Sequence, residues 1–441
     1  MASTGMTSTC MTSTGISAQG YARRRRQLMR MAGDDAIVVI PSAPERIRSR
    51  DTHYPYRQDS DLWYLTGFAE PEAVLVLIPG RKHGETLLFC RERDPEREGW
   101  DGPRRGPEGA VDAFGMDDAY PIDDLDEILP GLLEGRTRVY YHFGRDTDFD
   151  LKLIGWLNRV RAQMRMGAQP PHEFLELGHL LDEMRLFKDR DELKLMQRAA
   201  DISIEAHRAA MRAAKPGIYE YELQAEIEHV FRRHDAEPAY GSIIGAGDNA
   251  CVLHYVENDK VCQDGDMVLM DVAAEYAGWA SDLTRTVPVN GRFTKRQRDV
   301  YDAVLRVFRG ANGILRPGNT PMEYQKQVIE LMERELVHLG LFTAKEARAQ
   351  GPDKALVKKY FMHGTSHHLG LDVHDVCPPH EPFAEGMVFT IEPGIYLREE
   401  SLGVRLENDV LLGKNGNLDL MGRIPIEAEE IEALMAARAR P

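Results

Sequence analysis

Histidine is concentrated in one short stretch of the sequence. Residues 362–375 read MHGTSHHLGLDVHD and contain His363, His367, His368 and His374, although the whole chain has 15 histidines. A neutral imidazole binds metal ions and exchanges protons near neutral pH, so this stretch is either chemically active or a polar loop. Its glycines disfavour a continuous helix, and the spacing is not HExxH. To form a site, the stretch needs partners from elsewhere in the chain.

Two aspartates lie in a predicted β-hairpin. The segment GDMVLMDVAAEYAGWASDLTRTVPV (265–289) has apolar runs on both sides of EYAG, which is typical of two antiparallel strands and a turn. We expect the turn to centre between Tyr276 and Ala277, which places Asp271 directly opposite Asp282. Opposed carboxylates destabilise paired strands. A positive charge is therefore expected between them.

A second pair of acids follows a similar pattern. Glu392 ends the apolar run MVFTI just before a proline, and Glu407 lies in GVRLENDVLL (403–412), where strand alternation puts it on one face with Arg405. A hairpin through YLREESLG would bring the two glutamates together. Any one of these acids could be an ordinary surface residue. Four of them at the ends of apolar strands, beside a histidine cluster, favour a site.

Four carboxylates and one imidazole form an oxygen-rich ligand set. Such a set suits a hard or borderline divalent ion such as Mn²⁺, with Co²⁺ or Zn²⁺ as alternatives. Four buried carboxylates carry four negative charges, which one divalent ion only half neutralises and two ions balance. Two ions about 3.5–4 Å apart stabilise attack on a carbonyl group. The residues therefore favour metal-dependent hydrolysis as the reaction class.

The elements that position these residues fall into two parts. Up to about residue 180, strand-like runs such as AIVVIP, AVLVLIP, TLLFC and RVYYHF alternate with helical sequence, which predicts an α/β domain. Further helices are predicted at 189–214, 219–234, 295–312, 321–339 and the carboxyl end. We expect an extension or disordered segment at 1–20, an amino-terminal α/β domain at 21–185 and a catalytic domain at 186–441.

Composition limits the classes of partner and compartment. The formal net charge is −16, so the surface should repel nucleic acid, and the longest apolar runs are far too short to cross a membrane. The five cysteines are scattered without CxxC spacing, which favours a reducing, cytoplasmic compartment. GAGDNA (245–250) lacks the spacing of a nucleotide-binding loop and is predicted to be a turn before His254. The first twenty residues leave a true extension, a targeting segment and a misplaced start open.

Several motifs resemble those of one enzyme family. LHYVEND (253–259), the Asp271/Asp282 hairpin, MHGTSHHLGLDVHD, TIEPGIY (390–396) and GVRLEND (403–409) occur in the order seen in the pita-bread metallopeptidases. YPYRQDSDLWYLTGFAEPEAVLVLIPG (54–80) and LDEMRLFK (181–188) are similar to segments of the Xaa-Pro aminopeptidase, or aminopeptidase P, family. The resemblance implies an α+β pita-bread catalytic domain with a curved, mainly antiparallel sheet. It also implies a homo-oligomer, either a tetramer or a dimer.

The resemblance also assigns roles to residues. It implies a hydroxide bridging two Mn²⁺ ions that attacks peptides with an N-terminal Xaa-Pro sequence and releases the first residue. Glu392 is the expected general base, His368 receives no role, and Arg405 and Tyr396 are expected to hold Asp271. The implied metal ligands are Asp271, Asp282, His367, Glu392 and Glu407, and the histidines implied to line the substrate cleft are His254, His363 and His374.

Two other functions share most of this pattern. A prolidase, which cleaves Xaa-Pro dipeptides, would have the same metal ligands, but the similarity of the amino-terminal domain favours the aminopeptidase. A metal-free binding module on the same fold is the alternative from a different class, and the presence of all five ligands argues against it. Metal analysis of the purified protein would separate the enzyme from the binding module.

Overall fold

The computed structural model describes residues 15–377 and 381–437. The chain divides into two compact units, Met1–Met184 and Arg185–Pro441. Most of the predicted extension at 1–20 lies outside the described residues. Its last residues are structured, because Ile16 is buried and the Ser17 side chain caps the first helix, which begins at Ala18. Within the described part of the chain, no helix is long and apolar enough to span a bilayer.

The first unit alternates helices with strands. Its helices are α1 (Ala18–Ala32), α2 (Ser60–Thr66), α3 (Pro95–Asp101), α4 (Gly106–Phe114), α5 (Leu125–Leu133), α6 (Thr147–Ala162) and α7 (Gly178–Leu186), whose last residues belong to the second unit. Its strands are β1 (Ala36–Pro41), β2 (Ile47–Ser49), β3 (Thr52–His53), β4 (Val74–Leu77), β5 (Thr86–Cys90), β6 (Asp118–Pro121), β7 (Arg138–Tyr141) and β8 (Glu173–Glu176).

A mixed sheet forms the centre of the first unit. Its strands lie in the order β6-β5-β4-β1-β7-β8, with β1 antiparallel to β4 and parallel to β7. Val39, Val76 and Phe89 of these strands pack with Leu129 of α5 and Trp156 of α6 in one buried cluster. Continuous apolar runs such as AIVVI are buried throughout, as expected for strands with both faces covered. The predicted α/β character of this unit is confirmed.

The second unit contains the acids and histidines of interest. Its helices are α8 (Arg190–Ala213), α9 (Glu220–Arg233), α10 (Lys295–Ile314), α11 (Pro321–His338), α12 (Ala344–Ala349), α13 (Ala355–Lys358) and α14 (Ala428–Ala436). Its strands are β9 (Glu237–Pro238), β10 (Ile243–Ala246), β11 (Met267–Asp271), β12 (Ala274–Tyr276), β13 (Trp279–Ala280), β14 (Thr284–Pro288), β15 (Val388–Ile391), β16 (Gly394–Leu397), β17 (Leu402–Arg405), β18 (Asn408–Leu411) and β19 (Leu418–Asp419).

Two long hairpins position the site in this unit. The first hairpin pairs β11 with β14 and β12 with β13, and the second pairs β15 with β18 and β16 with β17, all antiparallel. Between the hairpins, the Glu407 N–H donates to the Thr284 carbonyl at 3.1 Å. The long helices α8, α10 and α11 begin with capping boxes, which satisfy amide groups at their first turns. The predicted helices and both hairpins are present.

Candidate metal centre

The first hairpin brings two aspartates to one face. Its turn lies at Ala277 and Gly278, with φ of 52° and 89°, and Asp271 pairs with Thr284. The predicted register, with Asp271 directly opposite Asp282, was therefore wrong. A two-residue turn with positive φ at both positions is the favoured hairpin connection, and it displaces the partner of Asp271 by two residues. Because side chains alternate along a strand, a displacement of two keeps both aspartates on the same face.

The second hairpin places two glutamates opposite each other. The flanking pairs Ile391–Asn408 and Gly394–Arg405 set Glu392 against Glu407. Glu407 is 2% exposed and accepts a hydrogen bond from Thr284 Oγ1 of the first hairpin at 2.6 Å. The two hairpins therefore bring their acids to a common centre, as the sequence predicted.

His367 reaches this centre from a segment that runs along β15. Backbone hydrogen bonds join Leu369 to Val388, Thr390 to His367, and Glu392 to Thr365, so residues 365–369 behave as an irregular edge strand. The Nδ1 atom of His367 lies 2.9 Å from the His368 carbonyl, and this acceptor assigns the proton to Nδ1. Nε2 then faces the acids, 3.3 Å from Asp282 Oδ2 and 3.7 Å from Glu392 Oε1. That tautomer presents a free nitrogen lone pair to a metal ion.

The acids are too crowded to carry all their charges unaided. Burial raises the pKa of Asp271 despite the attraction of Arg405, and burial with repulsion from Asp282 raises the pKa of Glu407 well above its usual range. Burial also raises the pKa of Glu392 to about 7, against the attraction of His367. Burial opposes the charged form of His367, but the hydrogen bond and attraction from Asp282 outweigh it and raise its pKa to about 9. Protons occupy such a site unless cations replace them.

These residues fit a metal site. Asp282, His367 and Glu407 each offer a ligand atom, and the three atoms lie within 4.8 Å of one another. These three residues line a cavity of about 450 Å³, and Asp271 and Glu392 line it as well. Carboxylates with one imidazole are the donors that hard and borderline divalent ions prefer.

Arg405 connects one acid to a histidine of the cleft. Its Nη2 donates to Asp271 Oδ2 at 2.6 Å and its Nη1 to the Tyr396 hydroxyl oxygen at 2.9 Å. That hydroxyl lies 2.8 Å from His363 Nε2, while His363 Nδ1 lies 2.7 Å from the Gly364 carbonyl. The carbonyl assigns the His363 proton to Nδ1, so the Tyr396 hydroxyl donates to Nε2. Burial and the positive Arg405 lower the pKa of His363 to about 4, which keeps its ring neutral.

The remaining histidines separate into two groups. His254 and His374 line the cavity, and the His374 ring meets that of His367 edge to face at 4.4 Å. His368 instead packs its ring against Phe389 at 4.2 Å. Neighbouring residues of an extended segment point to opposite faces, so His367 and His368 cannot both face the cleft. This explains why His368 received no role in the site.

Sequence reasoning missed Tyr240 and Asp409, which each contact at least one of the aspartates. The Tyr240 hydroxyl lies 2.6 Å from both Asp271 Oδ1 and Asp282 Oδ1. The buried Asp409 carboxylate accepts from the Asp282 N–H at 3.2 and 3.1 Å. The spacing of Asp409, two residues after Glu407 on a strand, could have identified it. Tyr240 lies between β9 and β10, where no local pattern marks it.

Comparisons with known proteins identify the family of this chain. Metallopeptidase family M24 matches residues 194–414, and the aminopeptidase P N-terminal domain matches residues 21–140. The Xaa-Pro aminopeptidase of Escherichia coli is 40% identical over 438 residues, which cover 96% of this chain and 98% of that protein. The chain belongs to metallopeptidase family M24 and carries the aminopeptidase P amino-terminal domain.

Solved structures give the same result for the fold. The aminopeptidase PepP of Pseudomonas aeruginosa is 47% identical with a TM-score of 0.91, covering 96% of this chain and 99% of that one. Zinc-substituted aminopeptidase P of E. coli in complex with product is 39% identical with a TM-score of 0.92, covering 97% of this chain and 100% of that one. The predicted order of an α/β domain and a pita-bread domain is confirmed.

Proposed function

We propose that this metallopeptidase is an Xaa-Pro aminopeptidase, which releases the first residue from peptides with proline in the second position. The observation that carries the proposal is the convergence of four acids and His367 at one cavity. Relatives that match almost the whole chain bear the name Xaa-Pro aminopeptidase, including the E. coli protein and one of Haemophilus influenzae at 37% identity. The preference for proline is inferred from these relatives.

The proposed cofactor is a pair of Mn²⁺ ions held by Asp271, Asp282, His367, Glu392 and Glu407. The number of ions follows from charge, because two divalent ions balance four carboxylates. Bound ions of this kind supply a polarised substrate carbonyl and an activated water. Co²⁺ and Zn²⁺ suit the same donors and are the alternative ions.

Glu392 is the proposed general base. Its side chain is 20% exposed, compared with 12% for Asp271 and 7% for Asp282, so it is more open to the cavity than either aspartate. A carboxylate that binds a metal ion can still take up a proton and return it. His254, His363 and His374 are proposed to contact the peptide. Arg405, with Tyr396 bound to it, is proposed to fix the orientation of Asp271.

Two broader expectations belong to the proposal. A cytoplasmic location follows from the scattered cysteines, and assembly into a dimer or tetramer follows from the family resemblance. Neither nucleic acid nor a membrane is a proposed partner.

The proposed function is tested by three substrate types. The metal-free protein is assayed with Xaa-Pro-Yaa, Xaa-Ala-Yaa and Xaa-Pro, before and after adding Mn²⁺ and again after chelation. We expect Mn²⁺-dependent cleavage of Xaa-Pro-Yaa that is lost on chelation, with much slower cleavage of Xaa-Ala-Yaa. Exclusive cleavage of the Xaa-Pro dipeptide would instead identify a prolidase. A protein that binds no metal and cleaves none of the three would be a binding module.

A further inference from the structure

A buried carboxylate outside the metal centre collects hydrogen bonds from the segment that carries His254. Glu220 is the first residue of α9 and is 0% exposed. Its two oxygens accept from the Ala246 N–H at 2.7 Å, the Lys260 N–H at 2.9 Å, the Asn249 side chain at 3.1 Å and the Tyr255 hydroxyl at 2.8 Å. All four donors belong to residues 246–260, so one carboxylate accepts hydrogen bonds from both ends and the middle of this segment.

Apolar packing of Leu253 and Tyr255 also orders the segment around His254. Residues 252–260 form neither helix nor strand, and His254 and Val256 are exposed at the cavity. Tyr255 between them is buried and is held by Glu220. Asn258 provides a second anchor, because it donates to the Ser242 carbonyl at 2.8 Å and accepts from the Ile244 N–H at 3.0 Å. The buried polar side chains of Glu220 and Asn258 therefore position the exposed cleft residues His254 and Val256.

The same network explains the glycine-rich segment GAGDNA. A side chain at Gly245 would place its Cβ 2.7 Å from the Asn249 carbonyl carbon, so the backbone folds tightly onto itself there. The Ala246 N–H, which a nucleotide loop would offer to phosphate, is already bonded to Glu220. The segment is an internal turn closed on a carboxylate, as its lack of nucleotide-loop spacing predicted.

We propose that Glu220 is a positioning residue that holds His254 against the cleft and acts on hydrolysis through that histidine. Glu220 is absent from the cavity lining and is enclosed by its own donors, so it does not touch substrate. A displacement of a substrate-contacting group by about 1 Å costs on the order of 100-fold in rate. The inference rests on the proposed peptidase function for its kinetic readout.

The test combines Glu220→Gln with His254→Ala in a double-mutant cycle. Glutamine keeps the size of glutamate but offers one acceptor oxygen to four donors. We expect kcat/KM for Xaa-Pro-Yaa to fall about 10- to 100-fold in the wild-type background. In the His254→Ala background we expect Glu220→Gln to lower kcat/KM by less than about 2-fold. Equal losses in both backgrounds would overturn the proposal.

Amide hydrogen exchange tests the same idea without catalysis. We expect Glu220→Gln to speed exchange over residues 252–260 and to leave metal content unchanged, whereas Glu226→Gln, an exposed position on the same helix, should change neither. Unchanged exchange over this segment would overturn the proposed role of Glu220, whether or not the wild-type protein cleaves peptides. Absence of cleavage by the wild-type protein would refute the proposed function only. If Glu220→Gln does not fold, Tyr255→Phe removes one donor and should give smaller changes of the same kind, and their absence would overturn the proposal.

Discussion

A buried ion cluster fixes the end of the histidine-rich segment. The side chains of Lys188 and Asp375 are each 1% exposed, and Lys188 Nζ lies 2.8 Å from Asp375 Oδ2. Arg185 Nη2 contacts Asp375 Oδ1 at 2.5 Å and Asp372 Oδ2 at 2.7 Å. A Cβ on Gly370 would lie 2.1 Å from Asp375 Oδ2, so only glycine leaves room for the carboxylate. The two acids and two bases cancel in formal charge.

The change Lys188→Met removes one base, so the buried Asp375 must share the single positive charge of Arg185 with the partly exposed Asp372. Breaking a buried ion pair by removing one partner costs about 3–5 kcal/mol. Because Asp375 keeps its contact with Arg185, we expect a loss near the lower end, about 3 kcal/mol of unfolding free energy. The double variant Lys188→Met with Asp375→Asn restores neutrality. Its loss should be smaller than the sum of the two single losses by about 1–3 kcal/mol.

Urea denaturation of the metal-free proteins, followed by fluorescence and circular dichroism, measures these losses. Lys194→Met is the matched control, because the Lys194 side chain is 61% exposed and its 2.8 Å pair with Asp191 lies at the surface. Such a pair is worth about 1 kcal/mol or less. A Lys188→Met loss no larger than that of the control, or strictly additive losses in the double variant, would refute the argument from buried charge.

Three further predictions concern the site and its surroundings. Glu392→Gln should leave a folded protein with negligible hydrolysis of Xaa-Pro-Yaa, and near-normal turnover would remove Glu392 as the base. Asp282→Asn should lower the number of ions retained after dialysis, and unchanged metal content would contradict its role as a metal ligand. His207 is fully buried, its Nε2 lies 2.7 Å from the Val272 carbonyl, and burial lowers its pKa to about 4. As the pH falls below about 6.5, His207 becomes protonated in the unfolded chain but stays neutral in the folded chain. The free energy of unfolding present above pH 6.5 should therefore fall by on the order of 3 kcal/mol as the pH drops towards 4. His207→Gln should flatten this dependence in urea titrations at several pH values, and an unchanged slope would exclude His207 as its cause.

The convergence of the acids was predictable because it depends on strand alternation. An error of two residues in the first hairpin register still left Asp271 and Asp282 on one face. The error lies in the turn. The predicted centre of the turn is one residue too early, because the positive φ of Ala277 is not evident from the sequence EYAG. An error of a single residue in the register would have separated the acids.

The contacts made from distant parts of the chain were not predictable. Tyr240 reaches both aspartates from outside the hairpin, and Glu220 acts on a segment that begins 26 residues later along the chain. Each depends on tertiary packing that leaves no periodic signal in sequence. Local patterns therefore identified the residues that face the centre, whereas the residues that support them required the structure.

The most direct test counts the ions that the acids are proposed to hold. The metal-free chain is equilibrated with Mn²⁺, and bound metal and Xaa-Pro-Yaa hydrolysis are measured on the same samples. Because two divalent ions balance four carboxylates, we predict about two ions per chain at saturation and activity that rises with occupancy. A chain that binds no Mn²⁺ at saturating Mn²⁺ concentration would contradict the account. So would hydrolysis that persists after chelation.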